Sequence, residues 1–292
     1  MSDRIDYGLQ TIDYRLNKVE KKKIIFKQLK LNHWRPRFLI IRSIICCLWS
    51  TVFLLSGCAS LGTYNPATGR NEFIFISTLE EVSLGNDVHQ KLASEFKFSN
   101  NIAKTERVRR IGQRVAQVSD RQDYKYRFFL IEKDEMNAFT TPGGNIYLFS
   151  GLMDKLAEDD RIASVLAHEI GHCAARHTVK KYQAALGYNL VGSIVIGQVG
   201  GEKAKEITSM SSNVIMNLVF SAYGRQDEYE ADRLGVKYLR SAGYDPKASI
   251  AALEVLQRES KSAGGPLVLR SHPYLSDRIE AIKKELELAN GQ

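Results

Sequence analysis

The 292-residue chain is 44% hydrophobic and 25% charged, enough apolar material for one sizeable core or two small ones. Its net charge of +8 sits almost wholly at one end: residues 1–57 hold 11 Lys and Arg against 4 Asp and Glu, and the remainder holds 30 against 29. Nucleic-acid recognition needs a basic face on the folded domain, and four cysteines (Cys46, Cys47, Cys58 and Cys173) give no pairing framework. Neither a nucleic-acid partner nor a disulfide scaffold is expected.

The first segment reads as an export signal over residues 1–57. Lys21 to Arg42 is basic, Ser43 to Leu55 is apolar, and the run closes in Leu55-Ser56-Gly57-Cys58. The apolar core falls short of the about 20 residues of a spanning helix. The ending resembles a bacterial lipobox, which implies that Cys58 becomes the lipidated first residue of the mature protein. Ala59, in place of Asp, implies the periplasmic face of the outer membrane if the source has two membranes. An uncleaved signal anchor is the alternative.

Residues 58–76 read as a linker with a Pro/Gly turn and a short strand, and 77–292 as the folded domain. Ser77 and Glu80 have capping-box spacing and open a helix to about Phe96, with Leu79, Val82, Leu84, Val88 and Leu92 apolar. Ile102 to Val118 is a second amphipathic helix. Tyr124 to Ile131 reads as a strand, and Asn145 to Phe149 as another after the Pro142-Gly143-Gly144 turn. Beyond Gly151 the pattern is helical. The fold class is therefore α+β, mostly helical with a small sheet. Leu186 to Gly200 is apolar and Gly-rich, and reads either as a core helix or as a lid beside the cleft.

The chemistry begins in Asp160 to His177, helical by pattern. His168 and His172 stand at i and i+4, so both imidazoles lie on one face and can reach one zinc ion. Glu169 is rotated away by one residue, placing its carboxylate at the water that the metal acidifies rather than at the metal itself. Such a site needs a third protein ligand. In Arg225 to Asp232, Glu228 shares its helix face with Ala231, Asp232 and Gly235, whose small residues allow close approach to another helix. Glu230 shares its face with Arg233, Lys237 and Arg240 and reads as solvated. Glu228 is the ligand candidate, and Asp232 can hold the outer N–H of a ligand histidine. Cys173 reads as packed.

The HEIGH segment (His168 to His172) followed by EYEAD (Glu228 to Asp232) resembles the gluzincin peptidases, family 48 of the metallopeptidases, which also contains the CAAX prenyl endopeptidases. The resemblance spans roughly Ser77 to Leu286 and extends to the family's periplasmic lipoprotein members. It implies one zinc per chain and Glu228 as third ligand, as the helix face also suggests. It further implies that Asn137, Ala138 and Phe139, with Gly143, Gly144, Asn145, Ile146 and Tyr147, form a strand that borders the cleft and pairs with extended substrate; an ordinary hairpin is the plain alternative. Ser271-His272-Pro273 with Arg278 matches a further family motif. There His272 either stabilises the oxyanion or occupies the open zinc position in a latent state, and Arg278 supports developing negative charge. Arg176 and His177 read as supporting residues. The function implied is a metalloendopeptidase acting on unfolded or misassembled envelope polypeptides, lipid-anchored, with envelope assembly machinery as a further expected partner. The rival is an assembly or chaperone-like lipoprotein whose protease site is latent or rarely used.

Overall fold

A computed structural model describes residues 62–195, 212–261 and 265–290. The export signal, Cys58 and the end of the Leu186–Gly200 run lie outside the described residues. None of the helices described is long and apolar enough to cross a membrane.

The span expected to be a linker is, from Thr63 onward, a docked hairpin. Strands β1 (Thr63–Asn65) and β2 (Arg70–Glu72) pair antiparallel. Asn65 Oδ1 accepts from the Ala67 amide at 3.0 Å, and Gly69 takes the left-handed conformation (φ 68°) that closes the turn. Asn65 Nδ2 donates to the Ala174 carbonyl at 3.3 Å, and Arg233 donates to the Ala67 carbonyl at 3.3 Å. These bonds hold the hairpin to the domain.

Helix α1 (Thr78–Glu95) starts at the expected capping box on Ser77 and Glu80. Its buried face differs from the expectation: Leu79 is 83% exposed, and the residues turned inward are Glu81, Gly85, Val88 and Leu92. Glu81 lies inside because Arg121 meets it at 3.0 and 2.6 Å and the Gly143 amide donates to it at 3.2 Å. A carboxylate is tolerated there because its oxygens are satisfied; removing a partner from such a pair costs about 3–5 kcal/mol. Gly85 has no room for a side chain, since a Cβ would run into the Pro142 carbonyl. Helix α2 (Ile102–Ala116) buries Val108, Ile111 and Val115 as its spacing predicts.

The three-stranded sheet has the order β3-β5-β4, with β3 Arg127–Ile131, β4 Ala138–Thr141 and β5 Asn145–Phe149. Strand β3 starts three residues later than expected, because its partner β5 begins only at Asn145, opposite Arg127, after the Pro142–Gly144 turn. Strand β5 is parallel to β3 and antiparallel to β4. Its alternation splits the core: Ile146 and Leu148 face the main cluster, while Tyr147 and Phe149 join Phe139, Val88 and Leu92 in a second one.

The rest is helical: α3 (Ser150–Leu156), α4 (Asp159–Ala174), α5 (His177–Val195), α6 (Ser212–Val219), α7 (Arg225–Ser241), α8 (Ala248–Glu259), α9 (Val268–Ser271) and α10 (Leu275–Asn290). The architecture is a mostly helical α+β fold. Helix α4 is central, with Ile162, Leu166 and Ile170 fully buried among α2, α7 and α8. It stops at Ala174, short of the continuous helix expected to His177, because Arg176 turns left-handed at φ 57°. A non-glycine residue there carries strain. Arg176 offsets it by donating to the Ile76 carbonyl at 2.9 Å and to Glu81 at 3.1 Å.

Candidate metal centre

Helices α4 and α7 approach closely where their side chains are smallest. A Cβ on Gly171 would lie 2.7 Å from the Ala231 carbonyl oxygen, and one on Gly235 would lie 3.3 Å from the His168 amide. This contact brings the expected ligands together. His168 and His172 turn their Nε2 atoms toward each other at 3.1 Å. Glu228, fully buried, places Oε1 at 3.4 Å from His172 Nε2 and Oε2 at 3.6 Å from His168 Nε2. His272, delivered by the end of α9, sets Nδ1 at 3.2 Å from His168 Nε2 and 3.1 Å from Glu228 Oε1. One donor atom from each of these four residues lies within 4.8 Å of all the others.

The chemistry of this set fits zinc. Asp232 lies 2.8 Å from His168 Nδ1, which fixes the proton on that nitrogen and leaves Nε2 as a lone pair. Two imidazole nitrogens and a carboxylate, all buried, converge on one point, and that is a cation site of borderline softness. Arg278, on α10, donates through Nε and Nη2 to Asp232, both at 2.7 Å, and its Nη1 lies 2.7 Å from Glu228 Oε2. Burial alone would raise the Asp232 carboxyl; the Arg278 charge and the hydrogen bonds from Arg278 and His168 outweigh it and hold it below the usual range.

Glu169 points from the same helix into a cavity lined by His168, His272, Leu152, Val165, Leu253 and Val268. Burial raises its carboxyl above the ordinary value. Glu169 Oε2 and His272 Nε2 are buried without a hydrogen-bond partner. Cys173 is packed as expected: its Sγ meets Thr140 Oγ1 at 2.8 Å, and burial pushes the thiol up to about 12.

The residues expected to form the substrate strand divide differently. Asn145, Ile146 and Tyr147 belong to β5, the central strand, whose two edges are already bonded to β3 and β4. They have no free backbone for a peptide. Gly143 and Gly144 pack against α1 and Tyr124, where a Cβ on Gly143 would lie 2.8 Å from Val82 Cα. Of the two edge strands, β3 and β4, β4 carries the expected Ala138 and Phe139, which follow Asn137. All three are buried, and Phe139 lies in one cluster with Met216 and Val219 of α6.

Of the residues that support the ligands, His177 was expected, whereas Glu230, Arg70 and Tyr223 were not legible in the sequence. His172 Nδ1 faces His177 Nδ1 at 2.9 Å, and His177 Nε2 lies 3.2 Å from Glu230 Oε2. Glu230, expected to be solvated, is held by Arg70 of the hairpin at 2.9 and 3.0 Å. Tyr223 stacks on His172, ring centroids 3.9 Å apart, and donates to or accepts from Thr178 at 3.1 Å. The turn at Arg176 places His177 for this contact. His177→Ala is therefore expected to weaken zinc binding about 10–100-fold, read by competition against a chromogenic chelator.

Residues 102–286 match Peptidase family M48. The beta-barrel assembly-enhancing protease of Escherichia coli is 28% identical over 222 residues, covering 73% of this chain and 45% of that protein. The mitochondrial metalloendopeptidase OMA1 of Saccharomyces cerevisiae is 34% identical over 159 residues, covering 53% and 44%. The metalloprotease LoiP of Escherichia coli is 25% identical over 250 residues, covering 84% and 97%. The chain thus spans about half the length of the first two and nearly all of the third. The family match runs from α2 through α10 and takes in every residue of the metal centre, and the chain belongs to peptidase family M48, carrying its zinc metalloendopeptidase domain.

Proposed function

We propose that the chain is a zinc endopeptidase that hydrolyses unfolded or misassembled cell-envelope polypeptides, working from the periplasmic face of the outer membrane and anchored through Cys58. The observation that carries the catalytic part is the convergence of His168, His172 and Glu228 beside a buried Glu169. Zinc held there supplies a Lewis acid for water and for the scissile carbonyl. Glu169 takes the proton from the attacking water and returns it to the leaving amine, a task suited to a carboxyl raised by burial. Asp232 orients His168, and Arg278 fixes Asp232 and Glu228 while adding positive charge near the developing oxyanion. The peptidase domain is 77–292, with the hairpin as part of its support. The envelope setting is supported by the lipobox-like Leu55 to Cys58 and by a relative named for beta-barrel assembly. Expression with a radiolabelled fatty acid tests the anchor: label should enter the parent and not Cys58→Ala.

A second reading, a site held latent, is favoured by two contacts. His272 Nδ1 stands among the ligand atoms, 3.2 Å from His168 Nε2 and 3.1 Å from Glu228 Oε1, and would be a further residue able to hold the metal. The β4 edge is buried, with α6 packed beside it. A peptide reaching the metal must displace His272, and one pairing with β4 must uncover that edge. His272→Ala is expected to raise cleavage of denatured casein. A fall in kcat instead would assign His272 to transition-state stabilisation.

A further inference from the structure

We propose that the outer face of the N-terminal hairpin, with the run that follows it, docks on the lipid surface of the bilayer to which Cys58 tethers the chain; this rests on the lipid-anchor reading above. Among the described residues seven large apolar side chains stand exposed, and four of them, Tyr64, Phe73, Phe75 and Leu79, fall between positions 64 and 79.

Their outward direction is built in by register. Thr63 pairs with Glu72 and Asn65 with Arg70, and the face carrying Asn65, Arg70 and Glu72 is the one bonded to the domain. Tyr64 pairs with Asn71, so it projects from the other face. Phe73 and Phe75 continue the parity of Asn71, and their rings lie 6.4 Å apart. Tyr64, Phe73 and Phe75 are 62%, 68% and 59% exposed. The run is not loose: Gln183 Oε1 accepts from the Phe75 and Ile76 amides at 2.9 and 3.2 Å, and Gln183 Nε2 donates to the Phe73 carbonyl at 3.3 Å. The domain therefore holds the backbone in a form that presents the aromatics to the outside.

The occupant follows from chain length. Five residue steps separate Cys58 from Thr63, a span of at most about 18 Å when fully extended. A lipid on Cys58 would keep the start of the hairpin within that distance of the bilayer surface; Tyr64, a ring with one wet end, suits the interface, and Phe73, Phe75 and Leu79 supply apolar area to bury in it. Arg70 of the same hairpin reaches Glu230 behind His172, so the docked face lies on the element that backs the metal centre.

Both tryptophans, Trp34 and Trp49, precede Cys58, so a chain processed there contains none. The protein is expressed with its full leader, purified from membranes and reconstituted in phosphatidylethanolamine–phosphatidylglycerol vesicles. Phe73→Trp is the reporter, and Ile102→Trp, at a residue 78% exposed outside the patch, is the control. Spin-labelled lipid should lower Trp emission at position 73 by about twofold or more while iodide leaves it unchanged, with the opposite pattern at 102. Iodide quenching at 73 equal to that at 102 would overturn the docking alone. So would shielding of position 73 from both quenchers, which would mean a protein covers the patch. Tryptophan emission from the parent chain would overturn the anchor reading, and the docking with it.

Discussion

Glu169→Gln is expected to bind zinc as tightly as the parent and to lose cleavage of denatured casein by about 100- to 10,000-fold. The amide matches the carboxyl in size, so the packing of α4 around it is preserved. Glu169 is almost fully buried and makes no hydrogen bond to His168, His172 or Glu228; its Oε1 lies 3.5 Å from His272 Nε2. The substitution therefore spares the metal site and removes a single capability, that of taking a proton from water. Zinc content measured beside initial rates separates the two effects. Full activity in the variant would remove Glu169 from the mechanism.

Arg278→Met is expected to cost about 3–5 kcal/mol of folding stability, because two buried carboxylates lose their cation. The guanidinium is buried and makes two 2.7 Å hydrogen bonds to Asp232 while lying 2.7 Å from Glu228. Methionine keeps most of the volume and the apolar stem, so the loss is chiefly electrostatic. Zinc gives Glu228 a replacement cation, and a ligand that binds only the folded state stabilises it. The deficit should thus be largest with chelator present and shrink when zinc is added. Urea unfolding under both conditions reads it; a loss below 1 kcal/mol in chelator, or one that zinc leaves unchanged, would contradict this account of the network.

The sequence carried the local half of this structure. Spacing at i and i+4 placed His168 and His172 on one face, and the small residues after Glu228 marked the side of α7 that meets α4. Both are properties of a single helix. What was not legible depends on elements far apart in the chain. Nothing in the sequence marks Glu81 as buried; it is held inside by Arg121, forty residues on. Glu230 looks solvated until the hairpin supplies Arg70. The order β3-β5-β4 cannot be read from strand propensity, so the strand after the Pro142 turn looked like an edge when it is the centre. The break at Arg176 went unseen because a non-glycine left-handed residue has no sequence signal; it is held by contacts to Ile76 and Glu81.

The central claim is that His168, His172 and Glu228 make a zinc site. The measurement that tests it most directly is the zinc content of the purified full-length protein, by atomic emission, beside that of His172→Ala and Glu228→Ala, with folding of each checked by circular dichroism. The account predicts about one zinc per parent chain, with little or none in either folded variant. A folded parent without zinc, or folded variants that retain it in full, would contradict it.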